Sequence, residues 1–109
     1  PKKIGNSGSF FKNPIISNLK LKKIKEKYPE IINYTQSKTH SKIAAGWLIE
    51  MAGWKGYRKD DCGVYDKQAL VLVNYGQASG NEIIELSKKI QQSVLEKFDI
   101  MINPEVNII

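Results

Sequence analysis

Cysteine and histidine each occur once in this sequence, as Cys62 and His40. One thiol cannot close an internal disulfide, so the fold must hold without covalent staples, and such sparing cysteine use suits a reducing compartment. One histidine and one cysteine cannot furnish the ligands of a structural zinc site, and no metal-binding residue is expected. Long hydrophobic runs are missing as well: nothing approaches the roughly 20 apolar residues of a membrane-spanning helix. The opening Pro-Lys-Lys has neither an initiator methionine nor the apolar stretch of a signal peptide, which reads as a piece of a longer protein. A P-loop, a dinucleotide glycine fingerprint after a strand, and a Gly-x-Ser-x-Gly nucleophile elbow are all absent. No cofactor-binding residue is therefore assigned to this chain.

What is present is enough for one domain over residues 1–109, with 41% hydrophobic residues to build a core. The net charge of +6 is unevenly spread. Residues 1–27 carry eight lysines against one glutamate, whereas residues 28–109 carry nine basic and ten acidic residues. The basicity thus belongs to LKLKKIKEK. A solvated helix face is the simpler reading of such a run; a small nucleic-acid-binding module is the functional alternative, although no aromatic residues interleave the lysines.

The apolar spacing sets out a β-α-α-β-α-β order. GSFFKNPII reads as a strand ended at Pro14. NLKLKKIKEKY reads as a helix with Leu21, Ile24 and Tyr28 on one face. Residues 29–42 have no steady period and read as a loop that includes His40. Residues 42–53 read as a helix with Ser41 as N-cap and Gly53 or Gly56 as its end. YRKDDCG reads as a loop and ALVLVN as a central strand. Ser79 and Glu82 have the capping-box spacing, opening a helix to about Phe98. IMINPEVNII reads as a last strand broken near Pro104. The expected class is α+β, a small mixed sheet covered by helices.

Three residues draw attention as chemistry, each with a plainer reading. Ser9 lies between Gly8 and the ring pair Phe10–Phe11 in IGNSGSFFKNP, either as the polar start of a strand or as a hydroxyl held where a proton must move. Glu105 lies in a strand-like run, where simple alternation would point it to water. Lys55 follows Trp54 at a helix end, where a cation complements the helix dipole.

Taken together, GSFFKNP, KIAAGWLIE, QALVLVN and NPEV, in this order, resemble the C-terminal domain of the UDP-N-acetylenolpyruvoylglucosamine reductase (MurB) family. The likeness runs from Gly5 to Ile109. It implies a cytoplasmic flavoenzyme of cell-wall peptidoglycan synthesis that uses NADPH and FAD to reduce UDP-N-acetylglucosamine enolpyruvate to UDP-N-acetylmuramate. It also implies that FAD sits mainly on N-terminal domains outside this chain, which are then its partners, and that the fragment alone has no reductase activity. By the same resemblance Ser9 is the proton donor and Glu105 assists at the intermediate. Asn13, Tyr34, Lys55 and Gln68 are implied to contact the substrate, Lys55 at its pyrophosphate. Thr35, Tyr65 and Asn107 depart from the family pattern, standing where proline, histidine and arginine are common.

Overall fold

In the computed structural model, residues 10–59, 62–65, 72–74, 76 and 79–104 are described. Strand β1 (Ile15–Ser17) leads directly into helix α1 (Asn18–Lys27), followed by β2 (Asn33–Thr35), β3 (His40–Ile43) and helix α2 (Ala45–Met51). Strands β4 (Arg58–Lys59), β5 (Cys62–Val64) and β6 (Leu72–Asn74) precede the long helix α3 (Gly80–Phe98). The class is α+β as expected. Among the described residues the strands pair antiparallel throughout, in two three-stranded sheets ordered β1-β3-β2 and β4-β5-β6.

The first sheet corrects the local reading at three points. Residues 29–42 contain a hairpin, β2 paired with β3, rather than a loop. Its turn is held by the Gln36 and Ser37 N–H groups donating to the His40 carbonyl at 3.1 and 3.0 Å. Periodicity misses this hairpin because its strands are only three and four residues long. Ser41 is not a helix cap. It pairs with Ile16 on one side and Thr35 on the other, so its backbone is committed to the sheet. Its buried hydroxyl donates to Asn18 Oδ1 at 2.6 Å. Helix α2 accordingly begins at Ala45.

The strand expected to end at Pro14 begins after it instead, at Ile15. Pro14 lacks the donor, but its carbonyl accepts the Ile43 N–H at 2.8 Å, and the ladder starts at Ile15.

Helix α1 is capped by Ser17, whose side chain accepts the Lys20 N–H at 3.1 Å, and it buries Leu21. Helix α3 has the expected box: the Glu82 N–H donates to Ser79 Oγ at 3.1 Å and the Ser79 N–H donates to Glu82 Oε1 at 3.0 Å. Its stripe of Leu86, Ile90, Val94 and Phe98 is buried. The core joins this stripe to Ile43, Leu48 and Ile49, to Val64 of β5, and to Ile100 and Ile102. β5 is buried along its whole length and holds the middle place among the described strands of its sheet. A Cβ at Gly63 would collide with the Tyr57 carbonyl oxygen and meet the Arg58 Cα at 3.0 Å, so only glycine lets β4 lie this close. Cys62 is buried in β5, its thiol directed at the Lys59 carbonyl. Among the described residues no helix is long and apolar enough to cross a membrane.

Candidate functional site

The β1-β3-β2 sheet has one covered and one open face. Side chains alternate along a strand, and Ile16, Ser41 and Ile43 turn inward and are buried. In the next row Ile15 and Tyr34 flank Lys42 on the open face, each its direct register partner. Ile15 and Tyr34 are 51% and 54% exposed, large apolar surfaces left without cover by the described chain. Tyr34, expected to contact substrate, is therefore not isolated. It stands beside an ammonium group on an open platform. Nothing in the local sequence pattern singles out Lys42. Its signal is the alternation of buried Ser41 and Ile43 around it, legible only once this stretch is known to be a strand.

Asn13 is tied to the start of α2, the helix that follows β3. Just before β1, its Oδ1 accepts the backbone N–H of Ala45, the first residue of α2, at 2.9 Å. Position Ala44 has the extended backbone of an N-cap but no side chain that can accept, so the cap comes from a residue far away in sequence. Asn13 itself is exposed. Its oxygen serves the helix while its amide nitrogen remains able to donate outward.

Lys55 lies at the opposite end of α2, whose seven residues span roughly 10 Å at the usual rise. The helix ends in a Schellman motif, with the Gly53 N–H on the Glu50 carbonyl at 2.9 Å and the Trp54 N–H on the Ile49 carbonyl at 3.2 Å. Gly53 has φ +91°, the left-handed conformation that motif needs. A tight turn follows, closed by the Tyr57 N–H on the Trp54 carbonyl at 2.9 Å, with Gly56 at φ +80° in the position a type II turn reserves for glycine. Lys55 is the corner of that turn. Trp54 anchors it, donating Nε1–H to Ser93 Oγ of α3 at 2.5 Å and packing edge-on against Tyr57 at 4.8 Å. The Lys55 ammonium is 3.5 Å from Glu50 Oε1 and remains partly exposed.

The described residues thus gather Asn13, Lys42 and Tyr34 at one end of α2 and place Lys55 at the other. A ligand touching all four has to be extended. Ser9, Gln68 and Glu105 lie outside the described residues. The chain just after Ser9 and just before Glu105 is described: Phe11 and Pro104 form an antiparallel bridge, and the Lys12 N–H donates to the Asn103 carbonyl at 2.8 Å. Phe10 and Phe11 are both buried, their rings edge-to-face at 5.0 Å. Among the described residues no three of His, Cys, Asp and Glu are grouped as metal ligands.

Residues 1–109 match the family described as UDP-N-acetylenolpyruvoylglucosamine reductase, C-terminal domain. The chain is 55% identical over 109 residues to a protein of Flavobacterium johnsoniae named UDP-N-acetylenolpyruvoylglucosamine reductase, covering 100% of this chain and 32% of that protein. Proteins of the same name from Amoebophilus asiaticus and Pseudomonas savastanoi are 51% identical over 109 residues and 50% over 108, covering 100% and 99% of this chain and again 32% of each relative. The chain therefore spans about a third of the length of these relatives.

Proposed function

The chain belongs to the family of UDP-N-acetylenolpyruvoylglucosamine reductase C-terminal domains, and on that premise we propose that it is the substrate-binding and proton-donating part of such a reductase. The substrate is UDP-N-acetylglucosamine enolpyruvate and the product UDP-N-acetylmuramate, a cytoplasmic step of peptidoglycan synthesis. NADPH is the reductant and FAD the carrier. The described residues include no glycine-rich turn opening a helix that would cradle the flavin diphosphate, so FAD is assigned to the rest of the protein, and this chain alone is expected to be inactive. When bound, the flavin supplies the hydride that saturates one carbon of the enolpyruvyl double bond.

The work left to this chain is binding and protonation. Tyr34 offers its open ring to the nucleotide end, Lys42 and Lys55 offer point charges to the pyrophosphate, and Asn13 and Gln68 donate or accept hydrogen bonds. The Ser9 hydroxyl delivers the proton that quenches the negative charge on the second carbon. A hydroxyl is a weak acid, effective only when its position is fixed and its acceptor strongly basic. Glu105 assists the same transfer. The observation that carries this pairing is the Phe11–Pro104 bridge, since it brings together the chain two residues after Ser9 and one residue before Glu105. Buried Phe10 and Phe11 give that bridge a rigid, dry backing.

The test is Ser9→Ala in the full-length enzyme, with the two half-reactions followed separately. Flavin reduction by NADPH should be nearly unchanged, and reduction of the enolpyruvyl sugar should slow by about 10²–10⁴. Glu105→Gln should impair the same half-reaction. An unchanged second half-reaction in the serine variant would remove Ser9 from the chemistry.

A further inference from the structure

The C-terminal ends of α1 and α3 meet at a shallow cavity of about 250 Å³, whose lining includes none of the residues given to the substrate. Its floor is aromatic. The rings of Tyr28 and Phe98 are 5.0 Å apart, and Trp47 from α2 backs them at 6.2 and 5.6 Å. Its rim is basic, with Lys20, Lys23 and Lys27 from one side of α1 and Lys97 from α3. The one carboxylate in the lining, Asp99, is already engaged: its Oδ2 is 3.7 Å from the Lys20 ammonium, which also donates to the Asp99 carbonyl. Among the described residues Lys23 and Lys27 have no ion-pair partner. The Lys97 ammonium leans over the floor, 5.6 Å from the Tyr28 ring centroid.

Helix dipoles explain part of this arrangement. Lys27 lies in the last turn of α1 and Lys97 in the last turn of α3, where cations are favoured. They do not explain Lys20 and Lys23. Lys20 lies in the first turn of α1, where a cation is disfavoured and the turn itself carries no acid, so its one counter-charge is Asp99 from beyond α3. The spacing of Lys20, Lys23 and Lys27 stacks them along one side of the helix, so their charges repel across the rim. A concave opening with unneutralised ammonium groups concentrates field on a small anion.

We propose that this rim is a binding site for a soluble, multiply charged phosphate anion, held by Lys23, Lys27 and Lys97 as point charges. Lysine binds phosphate in this manner without the fixed geometry arginine imposes. The cavity is too small for most drug-sized ligands but suits a di- or triphosphate group. None of these lysines belongs to the substrate set, so the inference stands apart from the proposed reaction.

The experiment is isothermal titration of tripolyphosphate into the full-length protein. The variant Lys23→Gln/Lys27→Gln is compared with Lys22→Gln/Lys25→Gln, which removes the same charge from the same helix but from outside the cavity. One saturable site per chain is expected, weakened about tenfold or more in the first pair and unchanged in the second. The single change Lys97→Gln, on the other helix, should weaken it too and serves if the first pair fails to fold. Absence of saturable binding at low ionic strength would overturn the proposal. So would equal weakening by the two pairs, displacement by UDP-N-acetylglucosamine, or a preference for vesicles of anionic phospholipid over free tripolyphosphate.

Discussion

Helices α2 and α3 begin by different means. Helix α3 caps itself: Ser79 and Glu82, three residues apart, exchange two hydrogen bonds in solvent. Helix α2 has alanine at its cap position and takes its acceptor from Asn13, beyond three strands and another helix. The surroundings differ as well. Ala45 is fully buried, whereas Ser79 and Gly80 are exposed. If the α3 cap is lost, water can replace it. If the α2 cap is lost, an N–H is stranded in the interior. The two helices therefore separate two roles for a cap, one that stabilises a helix and one that also fixes where a side chain proposed to bind substrate stands.

That contrast is sharpest at Asn13. Asn13→Ala should cost about 2 kcal/mol, since a buried donor is left unpaired, and should also raise the substrate KM of the full-length enzyme. Asn13→Asp keeps the acceptor for Ala45 but removes the donor and places a negative charge near a diphosphate. It should recover most of the thermal stability while leaving substrate binding weak. Stability and KM moving together in both variants would collapse the distinction between the structural and the ligand-facing halves of this side chain.

Gly53→Ala tests the other end of α2. A side chain at φ +91° should cost about 1 kcal/mol. By loosening the turn that carries Lys55 it should also raise KM modestly, read from urea melts beside steady-state kinetics. Ser79→Ala is the control on α3. It should cost about 0.5–1 kcal/mol with kcat and KM unchanged, because no residue proposed to touch substrate depends on that cap. The smallest effect is expected from Ser79→Gly, a few tenths of a kcal/mol in the same melts. A large activity loss in either Ser79 variant would mean that α3 is coupled to the site more tightly than α2.

The same contrast explains what was legible beforehand. The α3 stripe, its box and its end near Phe98 were all readable, because hydrogen bonds three residues apart and a 3.6-residue period are written in adjacent positions. Helix α1 and the glycine end of α2 were readable for the same reason. The β2-β3 hairpin was not. Its strands are too short to show a period, so the local pattern reads Ser41 as a cap and gives no signal at Lys42. Tyr34 was named from the family resemblance, but nothing local revealed that it shares a face with Lys42 and Ile15.

By itself, then, the sequence determined the α+β class, the long helix with its cap, and, through GSFFKNP and AGWLIE, the family to which the chain belongs. Only the tertiary structure decided that Asn13 caps α2, that Lys42 stands between Ile15 and Tyr34, and that Phe11 lies against Pro104. These depend on the packing of segments distant in the chain. Burial then makes each unpaired backbone group costly, and that cost selects the partner that no local pattern could name.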